Sequence, residues 1–353
     1  MDIQNPADKE RHLQGIVAPL LTWYAQNARE LPWRRNTEPY SVWVSEIMLQ
    51  QTRVEAVKPY FERFIQQLPS IEHLANAEEG ELLKLWEGLG YYSRARNLQK
   101  AAQIISQSYE GIFPASYEQI RALPGIGDYT AGAICSICFG MPTPAVDGNV
   151  LRVIARVTAD DTDIADPIYK KQVARELAAV YPRSQCGDFT QSLMELGAVI
   201  CTPNKSPQCS CCPLKELCQA RQKQLQGILP IKSKKKARKQ EQKTVLLLYC
   251  EGRLAVRQRE ASGLLGGLWE LPNLEGSLSP QEVELWLDTF GLTVQIITAS
   301  TSHKHIFTHV EWSMHSYIVE CDRMHADFWW ATKDELSTQI TMPTAFKKLL
   351  PAK

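Results

Sequence analysis

The 353-residue chain is long enough for two or three domains, each with a core of its own. Its 39 basic and 39 acidic residues cancel, which excludes a uniformly basic nucleic-acid coat and leaves any such contact to a local face. An apolar fraction of 44% and a charged fraction of 22% are those of a globular protein, and no apolar run reaches membrane-spanning length, so no membrane association is expected.

The polar opening, Met1 to Glu10, carries neither an apolar signal core nor an Arg/Ser-rich transit pattern, so a cytoplasmic protein is expected. In that reducing compartment, ten cysteines argue for metal rather than disulfides. Apolar positions at helical spacing (Leu13, Ile16, Val17, Leu20, Leu21, Tyr24) predict a helix over 8–28. After Leu31-Pro32-Trp33-Arg34-Arg35, the stretch Tyr40 to Leu49 reads as a helix with a largely buried face, and it contains one carboxylate, Glu46. Burial raises a carboxyl pKa and makes Glu46 a credible proton donor near neutrality.

Gln50-Gln51-Thr52 ends that helix, and the next begins near Val54. Amides at such a junction suit insertion into a duplex, Gln51 more than Gln50. Gly88-Leu89-Gly90-Tyr91-Tyr92-Ser93-Arg94 is a second turn, where glycines present aromatics beside arginines. Aromatics stack on bases and arginines neutralise phosphates, which makes Tyr91 and Arg94 candidates for DNA contact.

From Leu123 the chain runs Pro124-Gly125-Ile126-Gly127-Asp128-Tyr129 into an apolar helix, which predicts two helices joined by a tight hairpin. Gly125 and Gly127 leave backbone N–H groups bare at the start of the second helix, a seat for phosphate. Further on, Asp147 stands between an apolar approach and a new helix. Helices are predicted over 149–157, 168–181 and 187–200, and no strand-like alternation appears before residue 240. The first ~220 residues therefore read as all-helical.

Cys201-x7-Cys209-x2-Cys212-x5-Cys218, with Cys211 inside, is a four-thiolate pattern that zinc or an iron–sulfur cluster could fill. Between Lys232 and Lys243 seven Lys/Arg face one Glu, the composition of a basic linker. Beyond it the pattern changes. Residues 244–250 and 253–258 form a predicted β-hairpin about Glu251-Gly252, a helix fits 280–290, and strands fit 292–299 and 311–320. This predicts a separate α+β domain.

These residues resemble the MutY-type adenine DNA glycosylases of the helix-hairpin-helix superfamily. The likeness is carried by Leu31-Pro32-Trp33-Arg34, Val44 to Thr52, Gly88 to Tyr92, Leu123 to Gly127, Ala145-Val146-Asp147-Gly148-Asn149, the four cysteines and Trp269-Glu270-Leu271-Pro272. It implies a multidomain protein: a helical glycosylase domain over 1–221 that includes the cysteine loop 201–218, a linker over 222–242, and a Nudix-like domain over 243–353 that reads 8-oxoguanine. It implies a [4Fe–4S] cluster on Cys201, Cys209, Cys212 and Cys218, and removal of adenine from A:8-oxoguanine or A:G mispairs in double-stranded DNA by a monomer. Carried onto matching positions, Glu46 is the acid, Asp147 the transition-state stabiliser, and Tyr129 and Asn149 their support. Gln51 and Tyr91 fill the gap in the duplex. Trp33, Arg34 and Gln191 border the adenine pocket, and Phe307, Thr308 and His309 read the lesion.

The sequence departs from the family in three places. Seven residues rather than six separate the first two cysteines, which leaves Cys211 as an alternative ligand. Thr308 stands where the family has serine. The segment Ser279 to Glu284 lacks the acidic helix of a metal-dependent Nudix hydrolase. Relatives that form a Schiff base carry a lysine where this chain has Tyr129, so a monofunctional glycosylase is expected. The alternatives are a glycosylase for T:G mispairs and a non-enzymatic iron–sulfur DNA sensor.

Overall fold

The computed structural model describes residues 5–203, 207–233 and 237–351. Parts of the expected cysteine loop (204–206), of the basic linker (234–236), and both ends of the chain lie outside them. The chain divides into two compact units. One takes Met1–Asn76 with Asn97–Lys234, the other Ala77–Arg96 with Lys235–Lys353. Residues 77–96, expected inside the first domain, thus group with the second.

The first unit is helical. The expected helix over 8–28 is two, α1 (Pro6–Gln14) and α2 (Val17–Asn27). Pro19 has no N–H to offer the Gly15 carbonyl, so the helical ladder breaks there. The apolar face still points inward, with Leu13, Ile16 and Leu20 fully buried. There follow α3 (Pro39–Leu49), α4 (Val54–Gln67) and α5 (Ile71–Asn76). In the second unit lies α6 (Glu79–Leu85), and α7 (Ser93–Ser108) runs from one unit into the other. The expected hairpin joins α8 (Tyr117–Ala122) to α9 (Asp128–Phe139). Then come α10 (Gly148–Thr158), α11 (Pro167–Val180), α12 (Cys186–Val199) and the short α13 (Gln219–Gln222).

Two glycines draw α9, α10 and α12 together. A Cβ on Gly132 would meet the Pro144 carbonyl oxygen at 2.2 Å, and one on Gly197 would meet Asn149 Cβ at 2.7 Å. Neither close approach tolerates a side chain. Gly132 brings the segment before α10 against α9, and Gly197 brings the first turn of α10 against α12; Asp147 lies between the two contacts.

The second unit is built on a mixed sheet of β1 (Lys239–Cys250), β2 (Arg253–Gln258), β3 (Trp269–Glu270), β4 (Asn273–Glu275), β5 (Val294–Ile306), β6 (Val310–Cys321) and β7 (Trp329–Ala331). β1 begins at Lys239, inside the stretch expected as linker, because it pairs in parallel with β6 from Lys239–Val310 to Tyr249–Glu320. The apolar run in β1 is buried on both faces. Val245 and Leu247 pack with Phe346 on one side; Leu246 and Leu248 pack with Val283 and Leu287 on the other. The latter two residues lie on α14 (Pro280–Asp288), and Phe346 lies on α16 (Thr344–Lys347), which follows α15 (Lys333–Thr338). Side-chain bonds tie residues 77–96 into this unit. Lys84 Nζ donates to Ile340 O at 2.8 Å, and the Met342 N–H donates to Glu87 Oε1 at 2.8 Å.

Candidate active site

A cavity of about 240 Å³ opens in the helical unit. Its wall collects Trp33, Arg34, Glu46, Tyr129, Asp147, Asn149 and Gln191. Residues separated by more than a hundred positions therefore face one space.

Glu46 sits on α3 among Val42, Trp43, Val44 and Ile47, all buried, and is itself buried. Burial pushes its carboxyl up from 4.5 to about 7; the hydrogen bond from Tyr129 opposes that shift, and the charge of Asp147 adds to it. Tyr129 Oη donates to Glu46 Oε2 at 2.7 Å. Burial holds the Tyr129 phenol well above its ordinary range, so it stays a donor.

Asp147 caps α10. Its Oδ1 accepts from the N–H groups of Asn149 and Val150, each at 2.8 Å, and its Oδ2 accepts from Asn149 Nδ2 at 2.8 Å. Three donors at a helix N-terminus hold an anion in place. Asn149 is oriented in turn by Arg152, whose Nη2 donates to Asn149 Oδ1 at 2.8 Å.

Trp33 lies in the 3-10 turn Pro32–Arg34, its ring edge-on to Phe61 at 5.5 Å. Arg34 Nη2 donates to Glu195 Oε2 at 2.9 Å, and Arg29 grips the other oxygen through Nε. Burial pushes the Glu195 carboxyl up, but the Arg29 hydrogen bond and the Arg34 charge outweigh it and hold it below its ordinary value. Glu195 and Arg29 both line the cavity, and sequence reasoning missed both.

The other expected contact residues stand elsewhere. Gln51, between α3 and α4, is exposed and held in the left-handed region at φ 62°. Gly125 has φ 78°, and a Cβ there would meet Asn97 Cβ at 2.8 Å; nothing would meet one on Gly127 within 4 Å, so the space beside the N-cap of α9 is open. In the second unit, Tyr91 is exposed and also left-handed, at φ 49°. Its neighbour in sequence, Tyr92, is buried. Arg94, expected on phosphate, is buried instead. Its Nη2 donates to Leu89 O at 3.0 Å and Gly90 O at 3.1 Å, and burial lowers it to about 10. It anchors the turn that displays Tyr91, because the guanidinium satisfies carbonyls that the turn leaves open. Phe307, Thr308 and His309 form the link between β5 and β6, closed by Phe307 N–H to Val310 O at 2.8 Å. The Phe307 ring packs 4.8 Å from Trp312, while Thr308 and His309 are exposed.

Cys201, Cys209, Cys212 and Cys218 line a second cavity together with Arg156. Arg156 Nη1 donates to Cys201 Sγ at 3.2 Å. Cys211 is exposed and turned to the Gln208 carbonyl at 3.4 Å, so the added residue of the loop does not bring it into the set. Among the described residues no three His, Cys, Asp or Glu side chains stand at metal-holding distances. The donor set fits an anionic four-thiolate centre nonetheless: four thiols share one wall, and a buried cation stands beside them.

The HhH-GPD superfamily base excision DNA repair protein family matches residues 44–183, and the NUDIX domain family matches residues 244–352. The chain is similar to the adenine DNA glycosylase of Homo sapiens, 34% identical with 94% of this chain and 72% of that protein covered. It is similar to that of Buchnera aphidicola subsp. Acyrthosiphon pisum (strain APS), 33% identical with 94% and 95% covered. Among solved structures, a thermostable thymine-DNA glycosylase matches at 28% identity and a TM-score of 0.55, covering 60% of this chain and 98% of that one. An endonuclease III trapped on DNA shares the helical fold at a TM-score of 0.52 and 24% identity, with 61% and 98% covered. The non-enzymatic sensor falls away against these relatives. The chain belongs to the adenine DNA glycosylase family, DNA-binding base excision repair enzymes that hydrolyse N-glycosyl bonds.

Proposed function

We propose that the protein is a monofunctional glycosylase that removes adenine opposite 8-oxoguanine or guanine, after flipping the base into the 240 Å³ cavity. One observation carries the reading: a buried acid held near neutrality, Glu46, and a capped carboxylate, Asp147, face the same space. Glu46 donates its proton to an adenine ring nitrogen. The C1′–N9 bond breaks, its electron pair leaves with a neutral base, and the sugar takes on oxocarbenium character. Asp147 stabilises that charge, the division of labour of paired carboxylates in glycoside hydrolysis. Water adds at C1′, and the carboxylate left at Glu46 is available to accept its proton. Tyr129 orients Glu46 and supplies no amine, so no Schiff base forms there.

In this reading Trp33, Arg34 and Gln191 border the base, Gln51 and Tyr91 occupy the gap it leaves, and Gly125 and Gly127 seat a phosphate on α9. Phe307, Thr308 and His309 read the opposite base. Cys201, Cys209, Cys212 and Cys218 would hold a [4Fe–4S] cluster, which as a structural group would tie down the segment after α12. The boundaries 1–221, 222–242 and 243–353, a monomeric state and a cytoplasmic location belong to the same reading.

The test is a single-turnover panel of duplexes carrying A:8-oxoguanine, A:G and T:G, run with wild type and Glu46→Gln. Adenine release by wild type, lost in Glu46→Gln with DNA binding retained, is the expected result. Thymine release from T:G, or full activity in Glu46→Gln, would overturn it.

A further inference from the structure

The wall of the cavity carries three arginines, Arg29, Arg34 and Arg53, against the acids Glu46, Asp147 and Glu195. Two of the arginines are already engaged. Arg34 Nη2 lies 2.9 Å from Glu195 Oε2, and Arg29 holds the same carboxylate through Nε and Nη2. Arg53 is different. It stands at the N-cap of α4 on an extended backbone, φ −72° and ψ 145°, and it is exposed. Among the described residues its guanidinium has neither an ion pair nor a hydrogen bond. With Glu46 in the protonated form that the proposed reaction needs, Glu195 and Asp147 balance Arg29 and Arg34. The wall therefore keeps one uncompensated positive charge, and it sits at Arg53.

We propose that Arg53 binds a phosphodiester flanking the extruded nucleotide, at the exposed edge of the cavity. This rests on the base-flipping reading above and adds a backbone contact to it. Adenine is neutral, so the base itself cannot cancel the surplus charge. The phosphodiester that follows the base to the cavity carries one negative charge and cancels it. Position agrees with charge. Gln51, which occupies the gap in that reading, lies two residues away, and two extended residues span at most about 7 Å. The strand whose base has left the stack thus passes Arg53. A guanidinium offers a planar fork of donors that fits two phosphate oxygens at once. Left bare, the same cation would oppose the positive charge that develops on the sugar; paired with phosphate, it does not.

The experiment is a binding titration of wild type, Arg53→Gln and Arg53→Lys against an A:8-oxoguanine duplex whose adenosine carries a 2′-fluorine, which blocks base release. It is run over a salt series and repeated with an uncharged methylphosphonate in place of the linkage 5′ or 3′ to that adenosine. Arg53→Gln should bind roughly three- to thirtyfold more weakly at low salt, the scale of a charge-assisted hydrogen bond, and the slope of log K against log salt should fall by about 0.9. Arg53→Lys should keep the slope and part of the affinity. At one of the two linkages the methylphosphonate should weaken wild type by a similar factor and Arg53→Gln not at all. On the natural duplex the saturating single-turnover rate of Arg53→Gln should match wild type, because the contact is the same in ground and transition states. Wild-type affinity and slope in Arg53→Gln, or penalties of variant and methylphosphonate that add at both linkages, overturn the proposal and leave the glycosylase reading standing. A wild type that binds the duplex and releases no adenine from its natural counterpart defeats the glycosylase reading instead, while the titration still reads the Arg53 contact.

Discussion

Arg152 is the link between Asn149 and the cysteine loop. Its Nη2 donates to Asn149 Oδ1 at 2.8 Å, and its Nε donates to the Cys201 carbonyl at 2.7 Å. The same guanidinium reaches Gly197 O at 2.8 Å, so one buried cation ties α10 and α12 to the loop that follows them. Replacing it with alanine strips three acceptors of their partner. We expect Arg152→Ala to lose roughly 2–4 kcal/mol of stability in denaturant unfolding, the scale of charge-assisted hydrogen bonds. It should also slow base release more than it weakens DNA binding, because Asn149 loses its orientation.

The elevated Glu46 carboxyl predicts a pH profile. With Glu46 as the proton donor proposed above, base release needs the protonated form, so the single-turnover rate should fall as pH rises through about 7. Between 4.5 and about 7 the folded chain holds a proton that the unfolded chain has lost. Unfolding releases that proton, so this group's contribution to stability declines as pH rises through the same window. In Glu46→Gln that slope should vanish, as urea titrations at several pH values would show.

At Asp147 stability and catalysis should separate. Asparagine is as good an N-cap as aspartate, so Asp147→Asn should keep the cap and lose only the acceptor for Asn149 Nδ2, unfolding within roughly 1–2 kcal/mol of wild type. It lacks the negative charge, and base release should fall by a factor on the order of a hundred to a thousand. Asp147→Ala should lose both, with about 1 kcal/mol going with the cap. Melting curves and single-turnover rates on the same preparations compare the two.

Arg94 separates a phosphate-binding role from a structural one. A cation that neutralises one DNA phosphate contributes about 0.9 to the slope of log K against log salt, and its removal lowers the slope by that amount. Arg94→Met should leave the slope unchanged and destabilise the fold, since Leu89 and Gly90 lose their donor. A DNA-binding titration over a salt series distinguishes the outcomes.

Long apolar periods were legible in the sequence. α3, α10, α11 and α12 lie within two residues of their predicted bounds, since each repeats its buried positions over several turns. α5 and α6, of 6 and 7 residues, carry too few repeats to stand out. The start of β1 was hidden because Lys239 to Lys243 are polar and owe their extended form to β6, about seventy positions away. Glu46 stood out as a charge inside an apolar helix. Glu195 did not: its partners Arg29 and Arg34 lie 166 and 161 residues off, and only folding brings them together. Arg94 misled because a cation beside aromatics reads the same whether it faces solvent or the interior.

Gln51 and Tyr91 each sit in a backbone region that residues bearing a side chain enter rarely and at a cost of about 1–3 kcal/mol. That cost falls on folding, before any duplex arrives. In the proposed function, where Gln51 and Tyr91 fill the gap left by the flipped base, each wedge already holds its unusual main-chain conformation in the free chain.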